Sequence, residues 1–245
     1  MENLGDIIIE TSRSLGKSNN SMGDTLVEIA NQSRKLHIIE GTENIGQKGR
    51  FIFVLNHFVT DTYLPLEQKW TQTLELMGVV TQEMKRILDP NKKVIWLVAA
   101  KPRSALSKRN GEEIVLPTDN LRLKFLTQAR DVIPVSYTLS GARMVLEESA
   151  RNLEAGNVIG IFPEERTGLE LGQAKDGFAH IAIRNNTPVY PIAVYSDEES
   201  INVKIGNLHY PSPNITDKHE FALEVMKSLA SMLPVRYRGH YQETV

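Results

Sequence analysis

The chain has 245 residues, a formal net charge of −2, 41% apolar and 24% charged residues, and no cysteine. That length suits one large domain, or one with a small appendage, and the near-neutral balance gives no global attraction to nucleic acid. The lack of cysteine excludes disulfides, thiolate metal sites and a cysteine nucleophile together.

Residues 1–35 read as an N-terminal helical segment and residues 36–245 as the main domain. Short apolar patches such as Ile7-Ile8-Ile9 adjoin a polar, turn-like stretch from Gly16 to Gly23. A helix is expected next, from about Asp24 to Arg34, with Leu26, Ile29 and Ala30 near one face and packed on the main domain. The basic residues here are Arg13, Lys17, Arg34 and Lys35, too few to draw the segment strongly to anionic lipid. The opening residues lack the basic and apolar regions of a secretory signal. The longest apolar run, Val94 to Ala100, falls well short of the roughly 18 residues that cross a bilayer. The expected location is the cytoplasm, either free or peripheral to the inner face of the membrane.

Phe51-Ile52-Phe53-Val54-Leu55 has the length of a buried parallel strand, and it ends in Asn56-His57 with Asp61 four residues later. Ligands collect beyond the carboxyl ends of such strands. A neutral imidazole there can take a proton from a hydroxyl if a carboxylate holds its other nitrogen. Taken alone, the pair more often marks a turn and the opening of a helix. No second cluster completes a coordination sphere, so no metal is assigned. After Pro65 a helix through about Met77 is expected, then a strand over Gly78 to Glu83 and a strand or helix over Val94 to Ala100. From Lys85 to Arg130 cations outnumber acids, which predicts a local basic surface, and Lys101 to Pro117 reads as a long loop.

The second half alternates. Strands are expected at Val132–Tyr137, Val158–Phe162, Thr187–Tyr195 and Ile201–Ile205, and helices at about Ala142–Leu153, from Gly177 through about Arg184, and at Phe221–Leu233. Pro188 and Pro191 limit the hydrogen bonding of their strand to a start or a kink. The pattern defines an α/β fold with a largely parallel central sheet flanked by helices. At the end of the strand before Pro163, Glu164 and Arg166 combine a guanidinium suited to phosphate with an acid that can orient it; alone, they are equally a surface ion pair.

The segment from Glu40 to His57, with its Gly-Thr-Glu-Asn turn, apolar strand and Asn-His, resembles the opening of the glycerolipid acyltransferase family, which includes the glycerol-3-phosphate and lysophosphatidate acyltransferases. Ile161-Phe162-Pro163-Glu164-Glu165-Arg166-Thr167, Lys175-Asp176-Gly177 with the helix after it, and Thr187-Pro188-Val189-Tyr190-Pro191 agree in order. The resemblance implies transfer of a fatty acyl group from a thioester donor, acyl-coenzyme A or acyl-carrier protein, to the hydroxyl of a lysophosphatidate-like or glycerol-phosphate-like acceptor, with no cofactor. It implies His57 and Asp61 as catalytic base and partner, and Asn56, Glu164 and Arg166 as substrate-binding residues. It also makes the basic stretch a site for donor phosphates, carrier protein or a peripheral membrane contact. Three departures stand out. His57 and Asp61 are one residue closer than is usual, the Phe-Pro-Glu motif is one residue shorter before its arginine, and Tyr137 stands where an arginine commonly meets the acceptor phosphate. Arg143 on the following helix is read in that arginine's place. The rival readings are the same fold acting on another alcohol or an amine, and a noncatalytic module that binds acyl lipid or carrier. A Gly-x-Ser-x-Gly elbow is absent, so a serine hydrolase has little support.

Overall fold

The structure is a computed structural model that describes residues 21–46, 49–60, 66–99, 106–109, 112–115, 129–136, 138–164, 168–211 and 217–244. Helix α1 (Met22–Gln32) begins at Ser21, whose hydroxyl accepts the Asp24 N–H, and buries Met22, Leu26, Ile29 and Ala30. Strand β1 (Leu36–Glu40), not anticipated as an element, alternates exposed and half-buried residues, as an edge strand does. Strand β2 (Ile52–Leu55) is buried along its whole length.

Helix α2 (Leu66–Ile87) runs without a break through the expected strand at Gly78 to Glu83. The β-branched Val79, Val80 and Thr81 suggest a strand locally, but packing overrides that preference. Gly78 lies tightly against α1: a Cβ there would stand 2.4 Å from the Leu26 carbonyl oxygen. Strand β3 (Val94–Ala99) resolves the ambiguous run, and β4 (Leu106–Arg109) pairs antiparallel with β5 (Glu112–Val115) where a long loop was expected. Strand β6 (Val132–Val135) leads to helix α3 (Leu139–Glu154), which Thr138 caps and which stops at Gly156 with φ +82. Strand β7 (Val158–Ile161), helix α4 (Gly177–Arg184), strands β8 (Val189–Ser196) and β9 (Ser200–Ile205), and helix α5 (Lys218–Met232) follow.

Seven strands form one sheet in the order β1-β9-β8-β2-β7-β3-β6, in which only β8 and β9 pair antiparallel. Helix α2 packs with α1 and against β3, while α3 packs on β6 and β7, and α5 on β8. Pro191 lies inside β8, where Val54 pairs with it from β2. Its carbonyl accepts the Gly206 N–H at 2.9 Å, and its missing donor faces the very end of the β9 ladder, where little is lost. No helix among the described residues is long and apolar enough to cross a membrane.

Candidate active site

β2 lies between β7 and β8 and is parallel to both, so the residues after Leu55 emerge at the carboxyl edge in the middle of the sheet. Asn56 extends the ladder by one step. Its Oδ1 accepts the Val194 N–H at 2.7 Å and its Nδ2 donates to the Val194 carbonyl at 2.8 Å, because a side-chain amide carries the same donor and acceptor as a peptide. It is buried, with both polar groups committed to β8.

His57 is held through its backbone. Its N–H donates to Glu164 Oε1 at 2.5 Å, its carbonyl accepts the Gly168 N–H at 3.0 Å, and the Val59 N–H donates to the Gly168 carbonyl at 2.9 Å. Further along, the Thr60 N–H donates to Gln72 Oε1 and Gln72 Nε2 donates to the Thr60 hydroxyl, which ties the turn to α2. The imidazole stacks on Phe162, which stacks on the buried Trp96, and Trp96 Nε1 donates to Thr81 on α2. Although His57 is half-buried, its Nδ1 is out of solvent with no hydrogen-bond partner among the described residues. Burial pushes the ring's pKa down to about 4, so the neutral form prevails at pH 7.

Glu164 lies just past the end of β7 and is 7% exposed. Its Oε2 accepts the Gly172 N–H at 2.6 Å, so both oxygens serve backbone donors. Burial raises its pKa to about 7 against those two bonds. The C-terminal turns brace the same loop: Leu171 N–H donates to the Tyr237 carbonyl, His240 N–H to the Leu171 carbonyl, and Ala174 N–H to the Tyr241 hydroxyl. Tyr237 also meets Phe58 edge-on, with ring centroids 5.2 Å apart.

The structure thus brings Asn56, His57 and Glu164 together. Asp61, Arg166 and Tyr137 lie outside the described residues. Arg143 stands on α3 with its side chain 82% exposed and its Nε paired with Glu147 at 2.8 Å, and no described contact joins it to His57. Three cations of the basic stretch, Lys85, Lys93 and Arg130, lie elsewhere. Lys93 and Arg130 precede β3 and β6, which run parallel to β2, so they sit at the amino edge of the sheet, opposite His57. Lys85 and Lys93 are paired there with Asp24 and Asp131. Among the described residues no group of three His, Asp or Glu is placed to hold a metal. Sequence reasoning missed Gly168, Gly172, Val194, Tyr237 and Tyr241, which act through backbone groups or from the distant C-terminus. Phe162 lay within a quoted motif, but nothing in it indicated a stack on His57.

A neutral histidine at the carboxyl edge of a parallel sheet, with its backbone and ring both fixed, defines an α/β protein suited to proton transfer at a ligand crevice. Residues 115–195 match the family model described as Acyltransferase, a stretch that takes in Phe162-Pro163-Glu164 and β8 but begins after His57. No curated protein matches the chain in sequence. Among solved structures, the fold is similar to that of the 1-acyl-sn-glycerophosphate (LPA) acyltransferase PlsC from Thermotoga maritima, at 14% identity, over 86% of this chain and 76% of that one, with a TM-score of 0.52. The family-model match over a third of the chain and the likeness in fold agree with each other, and the match takes in the loop that carries Glu164.

Proposed function

We propose that this protein transfers a fatty acyl group from a thioester, acyl-coenzyme A or acyl-carrier protein, to the hydroxyl of a lysophosphatidate-like or glycerol-phosphate-like acceptor, with His57 as general base. The observation that carries the reading is the His57 imidazole itself, neutral at the carboxyl edge of the central strand, with a buried Nδ1 that has no partner among the described residues. Asp61, four residues on, supplies the carboxylate for Nδ1–H, which fixes the tautomer and leaves Nε2 to act. Such a pairing also raises the basicity of a ring that burial alone makes a weak base.

In the reaction, Nε2 takes the acceptor hydroxyl proton as the oxygen attacks the thioester carbonyl. The tetrahedral intermediate then expels the thiolate, which takes the proton from the imidazolium, and the products are an ester and a free thiol. No acyl-enzyme forms. Phosphate recognition falls to Arg166, and the donor's acidic groups remain the partners proposed for the basic stretch. The test is product analysis by mass spectrometry, with acyl-coenzyme A or acyl-carrier protein as donor and lysophosphatidate, glycerol 3-phosphate or an unphosphorylated alcohol as acceptor. Acylation of a phosphorylated acceptor is expected. Preference for the unphosphorylated alcohol overturns the acceptor assignment, and no acylated product with any pair overturns the reading.

A further inference from the structure

A strand that stops leaves its next backbone groups without a ladder. β2 pairs with β7 only as far as Val54↔Ile161, so the His57 N–H has no strand partner. Glu164 takes that place with Oε1 and binds the Gly172 N–H with Oε2. Both donors are main-chain groups, and an unmet buried N–H is costly, so the geometry of three segments converges on one carboxylate. Its only described bonds are these two.

Resting on the reading of His57 as base, we propose that Glu164 is the positioning residue of that base: its ionised, doubly hydrogen-bonded carboxylate sets the His57 backbone where the imidazole meets the acceptor hydroxyl. A protonated carboxyl holds the two N–H groups less firmly, because its hydroxyl oxygen is a weaker acceptor than a carboxylate oxygen and carries a proton that must turn away from the facing N–H. Burial brings this change to about pH 7. Among the described residues, the titratable side chain that feels Glu164 is Tyr241 from the C-terminal turn, whose phenol is raised by burial and by the Glu164 charge, while His57 meets Glu164 through its backbone N–H. Lys175 is the charged neighbour on the facing loop, where Ala174 bridges Glu164. Glu165 and Arg166 follow Glu164 outside the described residues. An activity limb near neutrality that Glu164→Gln removes therefore belongs to Glu164.

The experiment compares native protein with Glu164→Gln, a neutral copy of the protonated acid. It measures kcat and KM from about pH 5.5 to 8.5, thermal stability, and the 15N–1H resonance of the His57 amide. Native kcat is expected to rise about 10-fold between about pH 6 and 8, with the amide resonance moving at the same midpoint. Glu164→Gln is expected to fall about 100-fold in kcat at pH 8, to lose the pH limb, and to keep both KM values within about twofold. Its Tm at pH 8 should stay close to native, since removal of a buried charge offsets the one bond lost. A merely structural glutamate would lower Tm, and a substrate-binding one would raise the acceptor KM with kcat unchanged; either result overturns the proposal. So does a native His57 amide that does not titrate near neutrality, a measurement that needs no variant to fold. A native protein without turnover, whose amide titrates and is flattened by Glu164→Gln, supports the bracket and overturns the acyl-transfer reading alone.

Discussion

The His57 imidazole lies face to face with Phe162, the ring centroids 4.4 Å apart and the planes inclined by 24°. Phe162 in turn stacks on Trp96 at 5.7 Å, so the ring of the proposed base rests on a column that reaches the core and ends on Thr81 of α2. The column both orients the imidazole and keeps water from one of its faces. Phe162→Leu should therefore free the ring, lower kcat about 10-fold and move its pKa up from about 4 toward the ordinary value near 6.5. Titration of the His57 ring protons by NMR in both proteins checks this. An unchanged midpoint in Phe162→Leu would show that the column does not exclude water.

Asn56 holds Val194 at both its N–H and its carbonyl, in a buried position. Asn56→Ala strands two backbone groups and should cost about 1–3 kcal/mol of stability. Asn56→Asp should cost more at neutral pH, because a carboxylate oxygen would then oppose the Val194 carbonyl. Urea unfolding of the three proteins gives the ranking. Equal midpoints would mean that the amide is not part of the ladder.

Two buried groups bend the pH dependence of stability in opposite directions. His57 has a folded pKa depressed to about 4, so its share of stability is present above its ordinary value near 6.5 and is lost as pH falls through 4. Glu164 has a folded pKa raised to about 7, so its share is present below its ordinary 4.5 and is lost as pH rises through 7. His57→Gln should flatten the acid side of a plot of Tm against pH, and Glu164→Gln the neutral side. Scanning calorimetry at about six pH values between 4 and 8 separates the two.

Gly78 sits where α1 crosses α2, and an added Cβ would meet the Leu26 carbonyl at 2.4 Å and Ala30 at 3.3 Å. Alanine is favoured over glycine in a helix by about 1 kcal/mol, but overpacking of about 1–3 kcal/mol opposes it. The close contact is with rigid backbone, so Gly78→Ala is expected to lower Tm. A rise would mean that the helices separate freely.

The same helix shows where sequence reading fails. Gly78, Val79, Val80 and Thr81 favour a strand as a local string, yet their burial against α1 and the core makes them helical. The buried strands β2 and β7 were legible because both are short apolar runs that end abruptly in polar motifs, and such runs in a parallel sheet have few other readings. Edge strand β1 was not, since Leu36 and Ile38 are exposed and its alternation is spread over only five residues. Asn56, His57 and Glu164 could be picked out by residue type and order. What Asn56 and Glu164 hold could not, because it depends on which N–H groups the ends of β2 leave unpaired. The brace from Tyr237 and Tyr241 left no signal at all, being separated from Glu164 by more than seventy residues.

The most direct test of the central claim is thiol release from acyl-coenzyme A, with and without lysophosphatidate, in native protein and His57→Ala. The chain has no cysteine, so it contributes no thiol of its own. Release stimulated by the acceptor, and reduced at least about 100-fold in a folded His57→Ala protein, is the predicted result. Acceptor-stimulated release that persists at the native rate without His57 would contradict the account.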